Sequence, residues 1–268
     1  MRVVRIDGRE WRGAAVPDAA ELAARVGPGL IETMRARQGR VAHRELHIAR
    51  LAASTSACGY REAADPAQVA AALDAVVGGG GAGDLMVRVV AGSSGAVLVE
   101  SRPVAPLPVL PVAATARVLP GLWDPEAVMD EHKRTERAKW EAAEAVLGDV
   151  DVAVAADSWG RLGEASRASV FVVRDGIIRT APVAGILPGV GRRVILQISG
   201  DIVEHAPESE LWRAADEIFV VSALRGGTAI VAVDAHQVGD GAPGPVTVRL
   251  GTAFRGRVMA ETGGEATA

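Results

Sequence analysis

The chain has 268 residues, of which 49% are apolar, and a formal net charge of -4. This length and apolar content suffice for a large core without disulfides. Cys58 is the single cysteine, which excludes a disulfide framework and a thiolate metal cluster. A single cysteine also favours a reducing compartment. The arginines are scattered among acidic residues, so the chain offers no electrostatic footprint for a nucleic acid.

The beginning of the chain does not have the layout of a secretion signal. Charges at Arg2, Arg5 and Asp7 interrupt the first residues, which we interpret as a short strand. No stretch approaches the roughly 20 apolar residues that span a bilayer, because prolines break the Val/Ala-rich residues 104–116. We therefore expect a cytoplasmic protein with no membrane partner and no nucleic acid partner.

Capping and turn residues mark the elements of the first half of the chain. Asp18 is expected to cap a helix that ends at Gly27, and Asp65 before Pro66 caps another. An approximate helical stripe of apolar residues covers 44–57. Strands are predicted at residues 1–8, 30–37, 85–91 and 96–101, with a turn at Gln38 and Gly39.

Prolines between Pro103 and Pro108 cannot continue a sheet ladder, so this segment is interpreted as a stiff linker. We place a domain boundary there, with a small N-terminal domain at residues 1–105 and a larger C-terminal domain at 106–268. Helices are predicted at 133–147 and 190–199, and strands at 110–119, 150–156, 169–174, 177–180, 217–222 and 228–233. Strands and helices without regular alternation favour an α+β fold.

Lysine is nearly absent, since only Lys133 and Lys139 of the 29 basic residues are lysines. Arginine cannot form a Schiff base, whereas a desolvated lysine amine can attack a carbonyl. At the start of a predicted helix, Lys133 would lie near the positive end of the helix dipole and near Arg134 and Arg137, and both effects favour the neutral amine. Lys139 is expected mid-helix on the surface. The alternative is that both lysines are solvated side chains.

Three further motifs can carry chemistry. Glu164 follows a predicted strand and is either a carboxylate held in a pocket or a plain turn residue. The glycines of residues 185–192 open a helix whose N-H groups suit a phosphate ester, or they simply form turns. Their spacing matches neither the P-loop nor the dinucleotide fingerprint, which disfavours ATP and NAD. Arg50 lies one helical turn beyond His47, with a solvated helix face as the alternative.

In their order along the chain, these motifs resemble class IV aminotransferases. This group of pyridoxal 5'-phosphate (PLP) enzymes of fold type IV includes D-amino acid and branched-chain aminotransferases and aminodeoxychorismate lyase. The matching segments are 29–35 (GLIETMR), 39–41 (GRV), 47–51 (HIARL), Lys133 with Arg137, 163–166 (GEAS), 185–190 (GILPGV), 215–220 (ADEIFV) with Ser222, 238–241 (VGDG) and 244–247 (GPVT). They cover nearly the whole chain.

The resemblance implies PLP as the cofactor and Lys133 as the catalytic residue that forms the internal aldimine and shuttles the proton. It implies that Glu164 pairs with the pyridine nitrogen and that Leu187 packs on the ring. The phosphate would be held by Arg50, Val190, Gly191 and Ser222. The implied fold is a small N-terminal α/β domain plus a larger C-terminal pseudo-barrel domain with the cofactor between them, in a homodimer whose second subunit completes the site.

Two departures from the family pattern concern binding. Gly191 stands where the family usually has threonine, which removes a hydroxyl donor to the phosphate. Residues 90–95 lack the arginine that typical D-amino acid aminotransferases present to the substrate carboxylate. Another cation would have to take that bidentate role, and Arg35 and Arg88 are the candidates.

The resemblance favours transfer of an amino group from a D-amino acid or a small primary amine to a 2-keto acid. The alternative is a 4-amino-4-deoxychorismate lyase that eliminates pyruvate and leaves 4-aminobenzoate, a possibility kept open by the short chain and by the spacing of Lys133 and Arg137. A third hypothesis is a homologue without turnover, prompted by the missing threonine and arginine. Release of pyruvate without a keto-acid acceptor distinguishes the first two.

Overall fold

The computed structural model describes residues 1–60, 65–78 and 83–264. The chain divides into two compact units, each described here by itself. The first unit contains Met1–Pro106, Lys133–Glu136 and the C-terminal residues from Arg257. The second contains Leu107–His132 and Arg137–Gly256.

A six-stranded antiparallel sheet forms the centre of the first unit, with strand order β2-β1-β6-β5-β3-β4. The strands are β1 (Val3–Ile6), β2 (Arg9–Arg12), β3 (Gly29–Arg37), β4 (Arg40–Val41), β5 (Leu85–Gly92) and β6 (Val97–Pro103). The helices are α1 (Ala19–Val26), α2 (Arg44–Ala57) and α3 (Pro66–Val77). The predicted helices and strands of this half are therefore confirmed, and β2 was not predicted.

The two faces of this sheet carry separate apolar clusters, because successive side chains of a strand point to opposite faces. The larger cluster packs against α2 and α3 and includes Leu30, Met34, Leu51, Leu73, Val87, Val89 and Val99. On the opposite face a smaller cluster packs against α1 and includes Val4, Ile6, Leu22, Val26 and Leu98.

The predicted caps and the predicted turn are present in this unit. The Asp18 side chain accepts a hydrogen bond from Glu21 N at 2.8 Å, and the Asp65 side chain accepts one from Ala67 N at 2.9 Å. Gln38 and Gly39 have φ values of 49° and 75°, the left-handed backbone of a tight hairpin. Polar caps and turn residues thus set these element ends.

The second unit contains a nine-stranded sheet. Its strands are β7 (Val112–Leu119), β8 (Val152–Ala156), β9 (Leu162–Ala165), β10 (Ala168–Arg174), β11 (Ile177–Thr180), β12 (Ile202–Glu204), β13 (Glu217–Ser222), β14 (Gly226–Val233) and β15 (His236–Gln237). Its helices are α4 (Ala138–Ala145), α5 (Val190–Ser199), α6 (Ser209–Arg213) and α7 (Pro245–Glu261), whose last residues belong to the first unit.

Six of these strands close into a ring, in the order β10-β13-β14-β7-β8-β9 and back to β10. The rings of Phe171 and Phe219 stack with centroids 4.9 Å apart, since these residues are direct neighbours on β10 and β13. The closed ring confirms the expected pseudo-barrel, and the mixture of helices and sheets confirms the α+β class.

One predicted helix is wrong in its first turn. Residues 133–136 are not helical, and α4 begins only at Ala138. Ile31 N donates to Lys133 O at 2.7 Å and Thr135 N donates to Gly29 O at 2.8 Å. These bonds commit the backbone to the edge of β3, because an extended segment cannot also make helical bonds.

Several elements of the second unit were not predicted, namely β9, β12, α6, β15 and the long C-terminal α7. Within the described ranges, no helix combines the length and the apolar character that crossing a membrane requires.

Candidate active site

Lys133 is held at the edge of β3 by strand pairing and not by a helix. Leu30 and Arg134 form an antiparallel bridge, and the two backbone hydrogen bonds given above flank it. Residues directly opposite on antiparallel strands point to the same face. Lys133 therefore shares the sheet face of Ile31, while Arg134 shares the face of Leu30. The predicted influence of a helix dipole on Lys133 is wrong.

Lys139, the other lysine of the chain, has a partner of its own. It lies in the first turn of α4, not mid-helix as predicted. Its Nζ lies 2.5 Å from Asp130 Oδ2 and 5.6 Å from the centre of the Trp140 ring. The Lys139 amine is therefore committed to a contact with Asp130.

A buried carboxylate, Glu32, organises the side chains of α2 that face β3. Glu32 is 2% exposed, and its oxygens accept from Arg50 Nε at 2.8 Å, from Arg50 Nη2 at 2.6 Å and from His47 Nδ1 at 2.6 Å. Burial alone acts to raise the pKa of Glu32, but Arg50 and His47 outweigh it and lower the pKa to about 2. Burial is also the largest cause of the lowered pKa of His47.

The Glu32 carboxylate decides between the two interpretations of Arg50. The Arg50 side chain is 11% exposed and forms a bidentate pair with Glu32. The alternative that Arg50 lies on a solvated helix face is therefore wrong. Glu32 was part of the matching sequence segment but was given no role there. The sequence did contain a signal for this role, because the next predicted helix carries two basic residues, His47 and Arg50, that can pair with a carboxylate on the preceding strand. Phosphate binding by Arg50 stays a prediction.

In the second unit, Glu164 lies on β9 and is not a turn residue. It is 9% exposed, pairs with Ser169 across the β9–β10 ladder, and its Oε2 accepts from Leu187 N at 3.3 Å. The structure thereby brings together two of the predicted cofactor-binding residues, Glu164 and Leu187. A buried carboxylate fixed by strands is the chemical group that a pyridinium nitrogen requires.

Trp123, which sequence reasoning missed, positions the strand and the loop around Glu164. A Cβ at Gly163 would lie 2.7 Å from Trp123 Cδ2, so glycine allows the indole to lie directly on β9. Trp123 Nε1 donates to Ala184 O at 2.9 Å. In the sequence, Trp123 stands between Leu122 and Asp124, and such a local pattern does not reveal which residues the indole contacts.

The N-terminus of α5 is open for an anion. Its N-cap, Gly189, has no side chain to accept the first helical N-H groups. A Cβ at Gly189 would lie 2.4 Å from Ser169 Oγ, and one at Gly191 would lie 3.2 Å from Ser222 C. The structure therefore brings together Val190, Gly191 and Ser222.

These contacts also give a physical reason for the glycine at position 191. Its Cβ would meet Val221 Cγ1 at 3.1 Å and Ala223 N at 3.3 Å, so a threonine there would have to displace the end of β13. The cradle of backbone N-H groups and the Ser222 hydroxyl fits a phosphate ester, and the helix dipole adds to the attraction.

The two candidates for substrate binding, Arg35 and Arg88, differ in their surroundings. Arg35 is 4% exposed, and its Nη1 donates to Asp84 Oδ1 and, at 3.0 Å, to Ala105 O. Arg88 is exposed on β5, directly opposite Thr33 of β3.

A comparison of the sequence with protein families decides the family. The profile described as amino-transferase class IV matches residues 29–233, a range that contains Lys133, Glu164 and the start of α5. The chain belongs to the class IV aminotransferase family. PLP is the cofactor of this family, and the residues around α5 and Glu164 suit its phosphate and its ring nitrogen.

Individual relatives support the same family. The chain is 32% identical to the branched-chain-amino-acid aminotransferase of Pseudomonas aeruginosa over 123 residues, which are 44% of this chain and 40% of that protein. It is 40% identical to the D-alanine aminotransferase of Staphylococcus haemolyticus over 96 residues, 34% of each protein. These matches span well under two thirds of the relatives' length.

Among solved structures, the branched-chain aminotransferase of Thermoproteus uzoniensis with norvaline is similar to the whole chain. The TM-score is 0.83 and the identity 25%, over 97% of this chain and 95% of that one.

Proposed function

We propose that this class IV aminotransferase uses PLP bound covalently to Lys133 to move an amino group from a D-amino acid or a small primary amine to a 2-keto acid. The observation that carries the proposal is the contrast between the two lysines. The backbone of Lys133 is held against the edge of β3, within the family match, whereas the Lys139 side chain is ion-paired with Asp130. When bound, PLP supplies the electron sink for this chemistry.

Each site residue has a defined task in this proposal. Lys133 Nζ would hold the cofactor aldehyde by condensing with it and losing water, and once the donor amine has displaced it the free Nζ would move the proton to and from the donor Cα. Glu164 keeps a proton on the ring nitrogen, and Leu187 packs on the ring. The phosphate is bound by Arg50, Val190, Gly191 and Ser222.

The donor class is tested by a single-turnover measurement on the PLP-loaded protein without keto acid. D-alanine, L-leucine and a small primary amine are added separately, and the visible cofactor band is followed. We expect D-alanine or the amine to replace it with the band of the aminated cofactor. A response to L-leucine alone would contradict the donor class and favour a branched-chain substrate.

The same preparation separates a transferase from a lyase and from an inactive homologue. Pyruvate released from 4-amino-4-deoxychorismate without a keto-acid acceptor would favour the lyase. No response to any amine or to 4-amino-4-deoxychorismate would favour a homologue without turnover.

We also propose that the chain acts as a homodimer in the cytoplasm, as the resemblance implies. Three apolar side chains at the start of the second unit support association, because Val109 and Leu110 are each 58% exposed and Val112 is 52% exposed. Sedimentation equilibrium should give about twice the chain mass of 27.6 kDa. The mass of a single chain would contradict the dimer.

A further inference from the structure

In the second unit, the start of α5 lies where two parallel strands end. β11 and β12 are parallel neighbours, with Thr180 opposite Glu204 in the last row of their pairing, and α5 is the crossover helix that connects them. In such a unit the helix begins at the edge of the sheet where both strands end. The first turn of α5 is therefore a neighbour of the ends of β11 and β12.

Arg192, in the first turn of α5, binds the ends of both strands. Its Nη2 donates to Ala181 O at 2.8 Å and to Glu204 Oε2 at 2.6 Å. Ala181 is the residue that follows β11, and Glu204 is the last residue of β12. A single guanidinium group thus joins the helix start to both strands.

The same side chain closes the loop that connects β11 to α5, residues 181–189. The first residue of this loop accepts the hydrogen bond from Arg192 described above. At the other end of the loop, Arg192 packs beside the N-cap, since a Cβ at Gly189 would lie 3.4 Å from Arg192 Cβ. The side chains of Trp123 and Glu131 bind the backbone in the middle of the loop. Arg192 therefore joins the two ends of a loop whose middle is also fixed.

Stability alone does not explain an arginine at position 192. Arg192 is 5% exposed, and a cation in the first turn of a helix is repelled by the positive end of the helix dipole. Among the described residues, Arg192 Nε also lacks a hydrogen-bond partner, and a buried N-H group without a partner is destabilising. Local rules of this kind are typically broken at functional sites. The function at this site is the binding of an anion by the start of α5.

We infer that Arg192 is a positioning residue that fixes the N-H groups of Val190 and Gly191 at the place where they bind the cofactor phosphate. The inference rests on the proposed function, in which these N-H groups hold the phosphate. Binding groups must be held closely in place, because a displacement of about 1 Å can cost about 100-fold in function. Glu204 balances the charge of Arg192, so the effect of the pair on the phosphate is geometric.

The test separates the phosphate from the rest of the cofactor by comparing PLP with pyridoxal, which has the same ring and aldehyde but no phosphate. The full-length protein is freed of cofactor, and the visible band is titrated with each compound. The ratio of the two dissociation constants measures the contribution of the phosphate. Wild type is compared with Arg192→Gln, Arg192→Lys, Glu204→Gln and the matched control Arg193→Gln. Arg193 is the exposed neighbour of Arg192 in the same helical turn.

We expect Arg192→Gln to weaken PLP binding by about 10-fold or more, because the loss of two charge-assisted hydrogen bonds releases the helix start. Binding of pyridoxal should change by less than about threefold, as for a substitution away from the bound compound. Arg192→Lys should be intermediate, because it keeps the charge without the planar fork. Arg193→Gln should keep the ratio of wild type. A general loss of stability would instead weaken the binding of both compounds equally.

Glu204→Gln separates positioning from simple electrostatic attraction. This variant removes a negative charge from the exposed end of β12 and leaves Arg192 in place. If the charge of Arg192 attracted the phosphate directly, PLP binding would become tighter. Positioning predicts weaker PLP binding with unchanged pyridoxal binding, because Arg192 loses one of its two anchors.

Three results would each overturn the inference alone: a ratio in Arg192→Gln equal to that of wild type, an equal loss in Arg193→Gln, or tighter PLP binding by Glu204→Gln. If Arg192→Gln does not fold, Arg192→Lys and Glu204→Gln decide by the same ratio. A wild type that binds PLP no more tightly than pyridoxal would contradict the proposed phosphate site, and the inference would fail with it.

Discussion

At Glu32, burial alone would favour a neutral carboxyl group. The Arg50 cation and the His47 hydrogen bond reverse that preference and lower the pKa to about 2. The charged Glu32 carboxylate stabilises the fold only together with Arg50 and His47. Removing one member of a buried pair leaves the other charge uncompensated. Glu32 therefore links the position of α2 to β3, the strand against which Lys133 is held.

The Glu32→Ala variant should lower the free energy of unfolding by about 3 kcal/mol, since Arg50 would keep a largely buried charge without its partner. Urea denaturation of wild type and variant measures the difference.

Glu45→Ala is the matched control, because Glu45 is an exposed glutamate in the first turn of the same helix. It should change the free energy of unfolding by no more than about 0.5 kcal/mol. Equal effects of the two substitutions would show that the Glu32 network does not stabilise the fold.

At the scale of single residues, the sequence indicated which residues can carry chemistry but did not indicate which residues they contact. Two lysines in one short segment made Lys133 and Lys139 the candidates, and the family resemblance favoured Lys133. Its pairing with β3 joins residues about a hundred positions apart, and no local pattern encodes such a contact. The difference between Arg35 and Arg88 likewise depends on Asp84, whose place beside Arg35 is a tertiary contact.

The element that presents Glu164 is a strand of four residues, β9, held against an indole ring. The absence of a side chain at Gly163 lets Trp123 pack there, and the same tryptophan is bonded to Ala184 O. The geometry around Glu164 thus depends on one glycine.

Gly163→Ala should cost about 1–3 kcal/mol of stability, because the new methyl group would overlap the Trp123 ring. The variant is compared with wild type by thermal or urea unfolding.

Gly256→Ala, in the interior of α7, is the matched control. No atom lies within 4 Å of the Cβ it would add, and alanine favours a helix over glycine by about 0.5–1 kcal/mol. This variant should be slightly more stable than wild type. A neutral Gly163→Ala would show that Trp123 does not fix β9.

At the scale of elements, capping residues predicted where helices start, whereas short strands and segments of low helix propensity were not predicted correctly. Asp18 and Asp65 placed two helix starts correctly. The helix α7 was missed because its valine, threonine and glycine residues have low helix propensity, and its stability comes from packing. The segment 133–136 was predicted as helix, but its backbone bonds go to β3.

The stability of the whole molecule should depend on pH through two buried histidines. Burial lowers the pKa of His43, although Glu261 acts in the opposite direction, and burial also lowers the pKa of His47. Both therefore bind protons less readily in the folded chain than in the unfolded chain. The penalty is absent above the unfolded value of 6.5 and grows as the pH falls below it.

We expect the free energy of unfolding to fall between about pH 7 and pH 5, with a slope of up to about 1.4 kcal/mol per pH unit for each histidine. The loss of the Glu32 charge belongs to a lower window, between its ordinary value of 4.5 and about 2. Urea unfolding across the pH range measures the slope.

His47→Gln should reduce this slope, and His236→Gln should not, because His236 is exposed. A slope that is unchanged in His47→Gln would show that His47 does not contribute to it.

The closed ring of the second unit could be expected only from the family resemblance. The α+β class followed from the order of helices and strands, but the closure depends on β9 pairing with both β8 and β10. A four-residue strand containing a glycine has too weak a pattern to predict that pairing. The glycine-bearing start of α5, where we propose that the phosphate binds, was easier to predict, because its glycines and the helix start are adjacent in sequence.

The most direct test of the central claim is to reduce the PLP-loaded protein with borohydride and map the modified peptide by mass spectrometry. The cofactor should be found on Lys133 and not on Lys139. Lys133→Ala should lose both the adduct and the visible band, and Lys139→Ala should retain them. An adduct on Lys139, or a normal visible band in Lys133→Ala, would contradict the assignment of Lys133.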